Sequence, residues 1–281
     1  MKTSTQLKAL IRNLSRDKGI NAEILLRNFM LERLLERISL SEYRDQFILK
    51  GGMLIAAIVG IDARATMDMD ATIRGFELNE DKLKNVFNEI LSIPVDDGVL
   101  MRLSKAESIR DEAEYPGIRI SIESVLDKTR QTMKVDITTG DKITPRAIEY
   151  KFQLLLEDRT ISVLAYNLET IFAEKLETIL SRGTATTRMR DYYDIYILME
   201  LHESNLNDDL LREAFIKTST NRGSFENIKN YSSEYIMSIE SSEVLLNLWE
   251  RYRSNNEYAS DINWEDAVSS MKRTFSKINL S

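Results

Sequence analysis

Hydrophobic period changes twice along this chain, and those two changes constrain its fold more than any single motif. Through about residue 45 the pattern is helical: in NAEILLRNFMLERLLERISL, Ile24, Leu25, Phe29, Leu31, Leu35 and Ile38 recur near helical spacing, and Asn21 can cap the start. From about 47 to 165 short β-type runs take over. They are FIL at 47–49, MDMDATI at 67–73, IRISIES at 118–124, MKVDITT at 133–139, and FQLLL with ISVLAY between 152 and 166. One stretch with helical periodicity, Leu78 to Ile93, interrupts them, and helical patterns return from Asn167 to the end. The fold class expected is therefore α+β. No internal repeat or proline-rich linker marks a boundary. The expected division, 1–165 for a mixed-sheet domain with N-terminal helices and 166–281 for a helical domain, rests on the change of period.

Composition narrows the chemistry. Two domains of ordinary size suit 281 residues, and 43% hydrophobic with 30% charged residues describes a globular chain with a core. There is no cysteine, which excludes disulfides, zinc–thiolate sites and a cysteine nucleophile. The single histidine, His202, excludes a histidine-rich metal site and leaves no Ser-His-Asp arrangement. No apolar run has signal-peptide or membrane-spanning character, so a cytoplasmic protein without a membrane partner is expected. A net charge of −7 and a pI near 5.1 oppose nonspecific polyanion binding by the surface as a whole. Locally, RGTATTRMR carries Arg182, Arg188 and Arg190 and no acid. It reads either as a solvated loop and helix start or as a nucleic-acid contact.

In an extended MDMDATI strand, Asp68 and Asp70 share one side, with Met67, Met69 and Ala71 on the other. Two carboxylates at close range repel, and a divalent cation such as magnesium, which prefers hard oxygen ligands, is a common remedy; a solvent-facing acidic edge strand fits the same pattern. MKVDITT repeats the alternation and offers Asp136 as a third carboxylate, if its strand lies beside that of Asp68. Lys50-Gly51-Gly52 sits between an apolar strand and MLIAAIVG, a short helical segment. A glycine pair there either exposes backbone N–H groups to a phosphate at a helix N-terminus or serves a turn that needs positive φ. The Walker pattern is absent.

Gly51-Gly52, a short helix, Asp68-Met69-Asp70 and a distant Asp136 together resemble the nucleotidyltransferase fold of the DNA polymerase β superfamily. More narrowly, LKGGMLIAAIVGIDARATMDMDATI followed by LETIFAEKLETILSR and RMRDYYDIYIL is similar to the AbiEii/AbiGii toxin family, over roughly 47–200 and in the family's order. The resemblance implies a polymerase β-like mixed-sheet domain followed by a mostly helical C-terminal domain. It implies that Gly51, Gly52 and the hydroxyl of Thr66 bind nucleotide, and that Asp68, Asp70 and Asp136 hold two magnesium ions. Met53 departs from the Ser or Thr that many relatives carry after the glycines.

Further along, Lys175 falls among Leu168, Ile171, Phe172, Leu176 and Ile179 on a helical stripe, where it either snorkels outward or meets a charged partner. Asp191 and Asp194 lie three apart on the next helix, and an acid in a first turn favours the helix dipole without further purpose. Asp194 reads as structural. Most of Tyr192, Tyr193 and Tyr196 are expected in the core. The resemblance matches Glu174-Lys175 and Arg190-Asp191 to family pairs. It implies that Lys175 touches the nucleotide's phosphates and that Asp191 orients Lys175 or the acceptor across a cleft.

The activity implied is transfer of NMP from an NTP to an RNA acceptor, with the tRNA 3′ end as leading candidate and Arg182, Arg188 and Arg190 on the acceptor's phosphates. Its biological setting is growth arrest in an abortive-infection toxin-antitoxin system with a separately encoded antitoxin that need not bind it. A monomer is expected. Kinase-like transfer of the terminal phosphate and a noncatalytic nucleotide-binding protein are the alternatives.

Overall fold

The computed structural model describes residues 3–75, 77–109 and 117–280. The chain divides into two compact units, Met1–Gly140 with Ala147–Ala165, and Asp141–Arg146 with Tyr166–Ser281.

In the first unit, α1 (Ser4–Lys18) and α2 (Ala22–Leu40) precede β1 (Phe47–Lys50), which runs directly into α3 (Gly51–Val59). Then come β2 (Met69–Ile73), α4 (Glu80–Ser92), β3 (Leu100–Ile109), β4 (Gly117–Leu126), β5 (Thr129–Thr139), β6 (Ile148–Gln153) and β7 (Thr160–Ala165). Asn21 caps α2 by accepting from the Glu23 N–H, and Asn79 caps α4 in the same way. Each satisfies a donor that has no partner inside the helix. Among the described residues seven strands form one sheet, ordered β3-β4-β5-β2-β1-β7-β6. The pairs β2/β5 and β1/β7 are parallel and the others antiparallel.

Alternation sorts the two faces of this sheet. Met69, Ala71 and Ile73 on β2, Ile118, Ile120 and Ile122 on β4, and Met133, Val135 and Ile137 on β5 are all buried. Leu35 and Ile38 of α2 line one cavity with Leu49, Met69, Ala71 and Val163. Thus α2 covers the apolar face, and the intervening positions Asp70, Arg119 and Asp136 belong to the opposite one.

Three sequence expectations need correction. Asp68 lies one residue before β2, in a bend, so it shares no strand face with Asp70; Met67 beside it is 39% exposed rather than buried. The chain there is a connection carrying no ladder, and period-2 alternation does not govern it. Only Phe152 and Gln153 of FQLLL are in β6, which begins at Ile148; Leu155 and Leu156 form the turn to β7. Strand β3 has no counterpart among the β-type runs of the sequence, because as an edge strand bearing Arg102, Lys105 and Glu107 it shows little apolar alternation.

Helix α2 is buried on more sides than its apolar stripe requires, for Glu32, Arg33, Glu36 and Arg37 are all buried. The β6–β7 turn roofs them: Arg33 pairs with Glu157 at 2.7 Å, Arg159 with Glu36 at 2.6 Å, and the Leu155 N–H donates to Glu32 at 3.1 Å. Arg37 pairs with Asp97 at 2.7 and 3.1 Å and donates to the Val99 carbonyl at 2.9 Å. Burial pushes the Glu32 carboxyl up from 4.5 to about 8, against the Leu155 N–H and the Arg33 charge, which pull it down. Folded Glu32 therefore keeps a proton that the unfolded chain releases. This group's contribution to stability falls as pH rises from 4.5 to about 8, by up to about 1.4 kcal/mol per pH unit. Glu32→Gln is expected to remove that slope. The check is a urea-unfolding series from about pH 5 to about 8; free-energy lines for variant and native chain that stay parallel would contradict it.

The second unit is built from α5 (Leu168–Arg182), α6 (Met189–His202), α7 (Asp208–Asn221), α8 (Phe225–Glu240), α9 (Glu243–Asn255) and α10 (Trp264–Ile278). Helix α5 packs against α6, α7 and α8, and α10 against α6 and α7. Tyr192 and Tyr193 are buried in this core, as the spacing suggests; the Tyr192 and Trp264 rings lie 5.0 Å apart, and the Trp249 indole N–H donates to the Ile262 carbonyl at 3.0 Å. Asn167 caps α5 by accepting from the Thr170 N–H and donates to the Thr144 carbonyl at 2.7 Å, which ties residues 141–146 to this unit. Among the described residues no helix is long and apolar enough to cross a membrane.

Candidate active site

The glycine pair opens α3, and its reason is visible in its neighbours. Gly51 has φ 65°, a left-handed conformation; a Cβ there would fall 2.7 Å from Asp70 Cγ and 2.8 Å from Asp70 Cβ. A Cβ on Gly52 would fall 2.8 Å from Thr66 Oγ1 and 3.2 Å from an Arg64 guanidinium nitrogen. The missing side chains thus admit Asp70 on one side and Thr66 with Arg64 on the other, while the first N–H groups of α3 lack intrahelical partners. Gly51→Ala is expected to cost about 1–3 kcal/mol, because it adds backbone strain and displaces Asp70. Equilibrium denaturation measures this, and a change below about 0.5 kcal/mol would argue that Asp70 is not wedged against the turn.

Thr66 is buried and its hydroxyl donates to the Asp68 carbonyl at 3.3 Å. Asn28 of α2 donates to the Thr66 carbonyl at 2.7 Å, so this segment is anchored immediately ahead of β2. Arg64, also buried, does not stand out in the sequence. Nothing in its local pattern distinguishes it from a solvated turn residue.

Strand registers align a row of charges across the sheet. Lys50 on β1 is the cross-strand partner of Asp70, Asp70 of Asp136, Asp136 of Arg119, and Arg119 of Glu107. The adjacency of Asp136 to the Asp70 strand, an open condition in the sequence, is thus met. Two carboxylates side by side repel each other, and the row sets a cation beside each. Arg119 grips Asp136 with two hydrogen bonds, Nε to Oδ1 and Nη2 to Oδ2, both 2.8 Å. Hydrogen bonding to Asp136 raises the Arg119 pKa, burial opposes the rise, and the charges of Asp136, Asp68 and Glu107 add to it. Among the described residues no three carboxylates or histidines are arranged to hold a metal ion. Asp68 is exposed and Asp70 half-buried, and the hard oxygens of a carboxylate suit a divalent cation; both oxygens of Asp136 accept from Arg119.

In the second unit, Lys175 does not snorkel. It is half-buried against α6, with its ammonium 2.6 Å from Asp191 Oδ1 and 2.7 Å from Asp194 Oδ2. Burial alone would push this lysine's pKa down; the charges of Asp191 and Asp194 and the hydrogen bonds to them overcome that and hold it above 10.5. The ammonium stays charged. Asp191 Oδ2 is buried without a hydrogen-bond partner, an acceptor with capacity to spare. Asp194, which the sequence ranks as structural, shares Lys175 with Asp191; the signal in the sequence is its i+3 spacing from that residue. Glu174 meets different partners, Arg222 at 3.4 Å and the Tyr166 hydroxyl at 3.4 Å, so the Glu174-Lys175 pair does not act on one group. Arg182 ends α5, Arg188 precedes α6 and Arg190 lies in its first turn; Arg188 and Arg190 are exposed and Arg182 half-buried. His202 is half-buried at the end of α6.

Comparison with solved structures gives the class. MenT4, a nucleotidyltransferase toxin from Mycobacterium tuberculosis H37Rv, superposes with a TM-score of 0.56 at 13% identity, covering 96% of this chain and 98% of that one. A crystal structure from H. pylori, described as a putative nucleotidyltransferase, superposes with a TM-score of 0.51 at 16% identity, covering 92% of this chain and 97% of the other. At such identities the likeness establishes a nucleotidyltransferase fold. No curated protein matches the chain significantly. The family model for the nucleotidyl transferase AbiEii toxin of type IV toxin-antitoxin systems matches residues 33–270, and the chain belongs to that family. It is a nucleotidyltransferase toxin; family membership implies an NTP substrate and an antitoxin counterpart.

Proposed function

We propose that this chain transfers a nucleoside monophosphate from an NTP to a hydroxyl of RNA, at the 3′ end of a tRNA, in a magnesium-dependent reaction in the cytoplasm. The observation that carries this reading is the junction of β1 and α3, where Gly51 and Gly52 admit Asp70 beside the first N–H groups of a helix start. The acceptor hydroxyl gives up its proton to solvent as its oxygen attacks the α-phosphorus, the bond from that phosphorus to the bridging oxygen of the β-phosphate breaks, and pyrophosphate leaves with the electron pair. Asp68 and Asp70 would hold the divalent ion, whose chemistry is to polarise phosphate oxygens and favour the acceptor's alkoxide. The α3 N–H groups seat the triphosphate, and Arg188 and Arg190 meet phosphates of the acceptor. Within the second unit, Asp191 and Asp194 keep Lys175 charged and Asp191 orients it, and the family resemblance assigns this ammonium a role toward phosphate. Tagging tRNA in this way would arrest growth, which suits a toxin of abortive infection whose antitoxin acts without contact.

The test is incubation of the protein with each of the four α-labelled NTPs, magnesium and total tRNA. Label in the RNA that disappears with Asp70→Ala supports the reading. Nucleotide binding without transfer to any RNA would overturn it, and a parallel γ-labelled reaction that labels the RNA would replace it with phosphoryl transfer.

A further inference from the structure

The charged row contains a cation where a second metal ion would be expected. We infer that Arg119 is a built-in second cation of this centre, that Asp136 is not a metal ligand, and that the chain binds one divalent ion, at Asp68 and Asp70. The inference rests on the nucleotidyltransferase reading above and departs from the two-ion arrangement that the family resemblance suggested.

Three observations carry it. Both oxygens of Asp136 accept from the Arg119 guanidinium at 2.8 Å, the two-pronged geometry in which arginine binds carboxylate most strongly. The pair is set by register, since Arg119 and Asp136 face each other across an antiparallel ladder that stays continuous from Gly117 to Leu126. The ladder fixes the two Cα positions opposite each other, so the pair starts from adjacent backbone sites. Lastly, the local charges leave room for one divalent ion and not two: three carboxylates, Asp68, Asp70 and Asp136, stand with two cations, Lys50 and Arg119, leaving one net negative charge that a single divalent ion already more than offsets. Glu107, the outermost member of the row, has its own cation, Lys105, at 2.6 Å. A second divalent ion at Asp136 would sit against the guanidinium and meet like charge. The guanidinium, fixed in place and permanently charged, is a positioning group for Asp136 and supplies to this side of the centre the positive field that a second ion would otherwise bring.

The experiment counts ions. Manganese is dialysed to equilibrium against the full chain with a mixture of the four α,β-methylene NTPs, and bound manganese and bound nucleotide are measured by electron paramagnetic resonance after acid release and by absorbance. One manganese per bound nucleotide is expected for the native chain and for Asp136→Asn. A doubling to two is expected for Arg119→Gln, and a return to one for Arg119→Gln combined with Asp136→Asn. Two ions on the native chain that fall to one in Asp136→Asn would overturn the inference while leaving nucleotidyl transfer standing. A count of one that persists in a folded Arg119→Gln chain would overturn Arg119's part in excluding the second ion. Absence of bound manganese and nucleotide alike would remove the underlying functional reading together with the inference. Because the native count and Asp136→Asn decide between one ion and two by themselves, misfolding of Arg119→Gln does not rescue the idea.

Discussion

Lys175→Met is expected to lower the unfolding free energy by about 3–5 kcal/mol and to abolish nucleotidyl transfer. Methionine keeps most of the length and apolar stem of lysine, so the loss comes from the charge. Without the ammonium, Asp191 and Asp194 remain as two carboxylates, 10% and 0% exposed, sharing a site with no cation between them. Their situations differ. Asp191 stands in the first turn of α6, where the helix dipole favours a negative charge, whereas Asp194 lies a turn further in. Adding Asp194→Asn to Lys175→Met is therefore expected to recover more stability than adding Asp191→Asn. Urea unfolding of the three variants checks both statements, and equal recovery would show that the dipole contributes nothing at Asp191. On the alkaline side, the Lys175 pKa held above 10.5 means that its stabilising charge persists throughout the neutral range and is lost only as pH rises through that elevated value.

Asp70→Asn is expected to separate activity from stability. Transfer should fall by at least about a hundred- to a thousand-fold, since a carboxylate placed for the metal and the triphosphate is replaced by an amide of the same shape. The fold should lose little, because Asp70 and Asp136 are register partners on adjacent parallel strands and the substitution removes their mutual repulsion. Lys50 across the other ladder opposes part of that gain, so a change within about 1 kcal/mol of the native chain is expected. Radiolabel transfer to tRNA and chemical unfolding read the two quantities independently. If the Asp70→Asn variant unfolds as readily as a core-disrupted protein, Asp70 is chiefly structural; if it stays active, Asp70 has no part in the chemistry.

Much of this was legible from local pattern. The alternation in MKVDITT and IRISIES reports which residues face the core, because a side chain's face on a strand depends only on the pleat of its own backbone. The Asn21 cap and the helical stretch before Ile93 are local in the same sense. Local pattern misled where no ladder existed: MDMD alternates in the letters, yet Asp68 and Met67 precede β2 and follow no pleat. It also missed β3, an edge strand whose charged residues break the apolar rhythm.

By itself the sequence determined the α+β class, the polar face that carries Asp70 and Asp136, and a family resemblance strong enough to name the chemistry. Only the tertiary structure decided which charges meet. Arg119 stood unremarked on the polar face of IRISIES, and the register of the β4–β5 hairpin made it the partner of Asp136, 17 residues further on. Lys175 had two readings on its helix until packing of α5 on α6 set it between Asp191 and Asp194. Gly51 and Gly52 had two readings as well, until Asp70 and Thr66 were seen in the space their side chains would fill. The physical reason is common to all three. Periodicity encodes the direction of a side chain relative to its own backbone, whereas the energy of a charge or a cavity depends on what the rest of the chain brings within a few ångströms.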